Sequence, residues 1–126
     1  MATITPNYIQ NQRFYFHNAA HKYHLDTKSY AQHKALDFLY TELESFKDTL
    51  CELLMGYLNG ERLGKLKVDD VPEYSHSEVM KLVKDIKSFA FDVYEWAENK
   101  KYCDIENTAQ SLSGVAAKTI YLLTLT

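Results

Sequence analysis

The chain has 126 residues, 46% of them apolar and 25% charged, and a formal net charge of −3. That length makes one domain, expected over residues 1–126, with room for a core that needs no disulfide staples. No apolar run reaches the roughly eighteen residues of a membrane span, and Met1–Pro6 lacks the basic and apolar regions of a signal peptide.

Four Gly and two Pro are few breakers for a chain of this length, which favours long helices over a turn-rich β fold. Cys51 and Cys103, the only cysteines, form no Cys-x-x-Cys pair. They read as free thiols in a reducing compartment, which places the protein in a cytoplasm.

The first predicted helix runs from Asn7 to Leu25, with Pro6 suited to its first turn. Ile9, Phe16, Ala20 and Tyr23 make an apolar stripe, and Phe14, His17, His21 and His24 make a second stripe beside it. Three histidines at i, i+4 and i+7 share a face, a spacing that suits a metal and equally a hydrogen-bonded surface. Asp26-Thr27-Lys28 is a break, and Ser29-x-x-Gln32 reads as a capping box that starts a second helix running to about Asn59, with Gly60 closing it. Leu36, Leu39, Leu43, Phe46, Leu50, Leu53 and Tyr57 are its expected core side. Its opposite face carries His33, Asp37, Tyr40, Glu44, Asp48 and Glu52, and a face this acidic is costly to bury without a cation.

Two pairs on that face have ligand spacing. His33 and Asp37 are one turn apart, as are Asp48 and Glu52. The pairs are offset by fifteen residues, about 22 Å along one helix, too far for one ion with bonds of about 2.0–2.2 Å. A second copy lying antiparallel across a two-fold axis brings His33 and Asp37 of one subunit to Asp48 and Glu52 of its partner, twice per dimer. The plain alternative is a solvated polar face on a long amphipathic helix.

Glu61 to Tyr74 is a long connection, with Leu63, Leu66 and Val68 as a candidate short helix, and it fits a crossover between two helix pairs. Arg62, Lys65 and Lys67 lie in it beside Asp69 and Asp70 and read as a solvated loop. Ser75-x-x-Glu78 is a second capping box. The third helix follows to about Lys100, its seam Val79, Leu82, Ile86, Phe89, Val93 and Trp96. Lys101-Tyr102-Cys103 is a tight turn. Asp104 is the expected N-cap of a fourth helix whose seam is Ile105, Ala109, Leu112, Ala116, Thr119 and Leu123. The whole reads as an all-α, ferritin-like four-helix bundle with a long crossover between helices 2 and 3.

The set His21, His33, Asp37, Asp48 and Glu52 resembles the intersubunit ferroxidase ligands of the Dps family, the DNA-protection-during-starvation mini-ferritins, in residue type and spacing. Tyr40, seven after His33, matches a tyrosine usual in that family. Asp104 to Ala109 resembles the Asp-x-x-Thr-Ala opening of its last helix, and Lys118 to Leu123 that helix's end, with Tyr121 in place of Trp. Lys22 stands where the family has Trp, His24 is an alternative ligand to His21, and the chain is shorter than usual, as in phage-borne relatives. The resemblance implies Fe(II) oxidation, with Zn(II) an alternative occupant, and Fe(III) storage in a homo-oligomer built through a two-fold dimer, a dodecamer in the family. It also implies a role for Tyr40 beside the metal.

Direct DNA binding is not expected, because twelve copies at −3 each repel phosphate and no Lys or Arg precedes Arg13. The only Glu-x-x-His is Glu73-Tyr74-Ser75-His76, so a ferritin-type di-iron centre within one subunit is not expected either. The rival reading is a structural or assembly protein that keeps the bundle and binds zinc or no metal.

Overall fold

A computed structural model of the chain describes residues 3–125; Met1, Ala2 and Thr126, within the expected 1–126 domain, lie outside them. Four helices account for most of the chain: α1 (Pro6–Asp26), α2 (Tyr30–Tyr57), α3 (His76–Lys100) and α4 (Cys103–Leu122). α1 packs on α2 and α3 on α4, while α2 also meets α4 and α1 meets α3. This is an all-α four-helix bundle in which neighbours run α1, α2, α4, α3 around the core.

Local chemistry sets the helix starts. Thr5, Ser29 and Ser75 each accept a hydrogen bond from the backbone N–H three residues on, satisfying one donor that a helix start leaves free. The Ser29 box is half made, because the Gln32 side chain turns inward. It is buried, accepts from the Tyr74 hydroxyl and meets His76 Nδ1 at 3.2 Å.

Asp104 does not cap α4 as its side chain leads one to expect. The helix begins one residue earlier, after Tyr102, without a side-chain cap, and Asp104 accepts from Tyr57 Oη at 3.1 Å instead. Gly60 shares the turn at the end of α2, with φ 86°, but it is not the first residue to leave the helical conformation. Asn59 takes the left-handed conformation (φ 57°), and Gly60 N–H reaches Met55 O at 2.8 Å. Lys101 does the same after α3 (φ 62°), with Tyr102 N–H on Ala97 O at 2.9 Å.

The core is one cluster of Ile, Leu, Val, Phe and Ala from all four helices. Phe46, Leu53, Tyr57, Trp96 and Leu123 are only half-buried, and Leu54 takes the buried place below Leu50. Residues 58–75 contain no helix. They lie along α1, held by Asn7 Nδ2 on Leu63 O (2.8 Å), Asn11 Oδ1 on Lys67 N (3.1 Å) and Tyr23 Oη on Pro72 O (2.9 Å). Leu63 is buried in the core there, with Leu58, Val71 and Tyr74 packed half-buried against it; Leu66 is exposed. Among the described residues no helix is long and apolar enough to cross a membrane.

Candidate metal centre

Because α1 and α2 run antiparallel from a tight turn, the histidines of α1 come to rest against the first turns of α2. His24 and His33 stack with ring centroids 3.9 Å apart. Nδ1 of His24 faces the backbone oxygen of His33 at 3.1 Å, and Nδ1 of His33 faces that of His24 at 3.0 Å. A carbonyl oxygen only accepts, so both rings carry their proton on Nδ1, and in the neutral form Nε2 of each keeps its lone pair. Locking one ring nitrogen to a carbonyl is how proteins orient an imidazole to offer the other to a metal.

His21 stacks on Tyr40 at 4.5 Å, and His24 lies 5.1 Å from the same ring. His17, 6.0 Å from Tyr40, completes the layer. Its Nε2 is buried without a hydrogen-bond partner, and its pKa is lowered by burial and then by the Lys47 ammonium.

The structure thus gathers His17, His21, His24, His33 and Tyr40 into one layer. Asp37 follows His33 by one turn and is half-buried, while Asp48 and Glu52 lie farther down the unbroken α2 and are exposed. At 1.5 Å per residue they sit about 22 Å or more from His33. Among the described residues no three His, Cys, Asp or Glu side chains converge on a point where one ion would sit. Within one chain the histidine layer and the Asp48 and Glu52 carboxylates are therefore separate groups.

Sequence reasoning missed Arg13. It is fully buried, donates from Nη2 to Leu43 O at 2.8 Å, and leaves Nε and Nη1 without partners. Burial lowers its pKa to about 10, with the nearby Cys51 sulfur acting weakly the other way. The signal was present: Ile9, Arg13, Phe16, Ala20 and Tyr23 form one stripe at spacings of four and three, so an arginine occupies a core position.

The model of a family of unknown function, DUF5856, matches residues 24–123. The chain belongs to DUF5856. The matched stretch opens on His24 and takes in His33, Asp37, Tyr40, Asp48 and Glu52, leaving His17 and His21 before it. This DUF5856 chain is also 30% identical, over 113 residues, to the uncharacterized 14.6 kDa protein of the mobD-ri intergenic region of Enterobacteria phage T4, a match that spans 88% of the chain and 78% of the relative. No solved structure matches it. Neither the family description nor the relative's name states an activity.

Proposed function

We propose that this chain is a ferritin-like protein of Dps type that oxidises Fe(II) at sites shared between two subunits and sequesters Fe(III), protecting against oxidative damage. The observation that carries the reading is the reciprocal lock between His24 and His33, which spends Nδ1 on backbone and keeps Nε2 for a ligand. His33 and Asp37, with His21 or His24, form one half of the site. Asp48 and Glu52 of the partner form the other, with Glu52 placed to bridge two ions. Single-chain geometry is consistent with this, since a site divided by a two-fold axis leaves incomplete halves on each subunit.

Fe(II) is the substrate. Two ions give up one electron each, and peroxide accepts the pair as its O–O bond breaks, two protons completing two waters. O₂ is the alternative oxidant. Imidazole and carboxylate suit Fe(II) but bind Zn(II) at least as well, so zinc competes in vitro. Tyr40, stacked on His21, lies where it can hydrogen-bond or pass an electron. The assembly we propose is a homo-oligomer built on that dimer, a dodecamer by resemblance, in a cytoplasm that keeps Cys51 and Cys103 reduced and without direct DNA binding.

The test is Fe(II) oxidation by air and by peroxide, followed on a size-exclusion column that reports mass and iron together. Fast oxidation, with iron eluting in a particle of about twelve subunits, is the expected outcome. A second reading, a structural or assembly protein without ferroxidase activity, takes its support from the fact that among the described residues no three donors converge. A metal-free or zinc-bound dimer with background oxidation moves the function there.

A further inference from the structure

The outward face of α3 is built around Phe91, a large apolar side chain that is 57% exposed. A mostly apolar cleft opens on each side of it. One, of about 500 Å³, is lined by Lys84 and Lys87, and the other, of about 210 Å³, by Tyr94 and Ala109; Phe91 and Ser113 of α4 line both. Lys84 and Lys87 are exposed before Phe91, and Glu95 and Glu98 are exposed after it. The spacing is symmetric: the lysines stand seven and four residues before Phe91, the glutamates four and seven after. On a helix those offsets share one face, about 6 and 10.5 Å from Phe91 along the axis.

None of these four charges forms an ion pair within the chain. Among the described residues the ion pairs are Lys22–Asp26 and Lys81–Asp85. One turn after Lys84 comes Ser88, and one turn after Lys87 comes Phe91 itself, so no carboxylate stands where a helical partner would. Glu98 lies in the last turn of α3, at the negative end of the helix dipole, where a carboxylate is disfavoured. Lys87 Nζ donates to Ser113 Oγ and Tyr94 Oη donates to Glu98 Oε2, each at 3.0 Å. Both charged side chains are therefore held beside residues that line the clefts.

We propose that this face binds a second copy of the chain, the two α3 helices crossing antiparallel at Phe91 on a two-fold axis. Such an axis sets each position before Phe91 opposite the position equally far after it. Lys87 of each copy then meets Glu95 of the other, and Lys84 meets Glu98. The two Phe91 rings leave water together and settle on the apolar clefts beside them. A parallel crossing sets lysine on lysine and glutamate on glutamate, so the charges fix the direction. α3 has α1 and α4 as its neighbours in the bundle, not α2. The contact is thus apart from the α2 carboxylates and does not rest on the iron-oxidation reading. One helix face is small for a permanent interface and its ion pairs are exposed, so the association is reversible and weakens with salt.

The experiment is sedimentation equilibrium of the full chain at low salt, with charge-reversed variants alone and mixed. Lys84→Glu with Lys87→Glu makes the stripe wholly acidic, and Glu95→Lys with Glu98→Lys makes it wholly basic. Each double variant is expected to self-associate at least about tenfold more weakly than the unaltered chain. Mixing the two is expected to restore association to within about threefold, because every acidic position then faces a basic one. Misfolded chains do not give that rescue. Phe91→Ala is expected to weaken the dimer about fivefold or more with charge unchanged. A chain that stays monomeric at millimolar concentration overturns the proposal. So does self-association indifferent to both charge reversals, which places the contact elsewhere on the bundle, or a mixture that associates no more tightly than either variant alone.

Discussion

His24 and His33 brace the α1–α2 turn by exchanging hydrogen bonds, each imidazole Nδ1 on the other residue's carbonyl oxygen at 3.1 and 3.0 Å. A helix C-terminus leaves its last carbonyls without partners, and His24 lies in the last turn of α1, so His33 supplies one that the helix lacks. Removing one ring breaks that ring's own hydrogen bond and the stacked contact, while the other ring still reaches the backbone carbonyl opposite it. His24→Ala is expected to cost about 1–2 kcal/mol of stability, the worth of one half-buried hydrogen bond and the stacked contact. The tautomers are checked directly by long-range proton–nitrogen correlation of the imidazoles, where both rings should carry hydrogen on Nδ1. A ring protonated only on Nε2 rules the arrangement out.

Asp48 and Glu52 are exposed on α2 and make no ion pair among the described residues. Their replacement by Ala is therefore expected to change stability by no more than about 0.5 kcal/mol. If the two residues complete a site on a neighbouring subunit, each variant remains a folded oligomer whose Fe(II) oxidation falls at least about tenfold. Stopped-flow absorbance at matched subunit concentration reads this. Oxidation that is unchanged in both variants removes the shared-site reading and leaves the bundle as it is.

The helices were legible because their signals are local. Ser29 and Ser75 cap where their spacing to Gln32 and Glu78 says they should, and the seams of α3 and α4 are buried along nearly all their length. What escaped needed a third dimension. Asp104 has the side chain of an N-cap, but Tyr57 lies across from it on α2 and takes its carboxylate. Gln32 looks like half of a capping box, yet Tyr74 and His76, more than forty positions on, draw it inward. The histidine stripe was visible as a face. That His24, rather than His21, stacks on His33 depends on how α1 is rotated against α2, which no spacing within one helix fixes.

Arg13 is the clearest case of a core position filled against its chemistry. One of its nitrogens is bonded, and Nε and Nη1 are buried without acceptors. Desolvating a guanidinium without a countercharge is unfavourable, and well-packed apolar replacements of buried charged groups are often neutral or stabilising. Arg13→Met, which keeps the long unbranched stem, is expected to stabilise the chain by about 1 kcal/mol in urea unfolding at neutral pH. Destabilisation by more than about 2 kcal/mol means that the orphan nitrogens have partners in the assembled protein.

Lys101 closes α3 with φ 62°, a conformation that strains any residue with a Cβ. Its side chain is exposed, so no packing opposes a change. Lys101→Gly relieves the strain but adds freedom to the unfolded chain, and the balance at such a cap is expected to favour the variant by about 0.5–1 kcal/mol. A lower unfolding midpoint would show that the lysine makes a contact outweighing its backbone cost.

Tyr23 ties α1 to the connection, donating from its hydroxyl to Pro72 O at 2.9 Å from a position that is almost fully buried. Burial, then the negative neighbours Tyr15, Glu78 and Asp26, push its pKa up to about 12. An acid whose pKa is raised on folding stabilises fully below its unfolded value, near 10, and loses that stabilisation as pH climbs toward the folded one. Stability is thus expected to fall between pH 10 and about 12. Arg13 opposes this in the same window. With its pKa lowered to about 10, the folded chain gives up a proton that the unfolded chain keeps, which favours folding as pH rises. The clean measurement is therefore made in the Arg13→Met background, comparing Tyr23 with Tyr23→Phe by urea unfolding from pH 8 to 11.5. The phenylalanine variant should start about 1 kcal/mol less stable, for the lost hydrogen bond, and decline less steeply above pH 10. Parallel declines mean that Tyr23 ionises no later in the folded chain than in the unfolded one, and that the alkaline limit of this bundle is set by its other tyrosines.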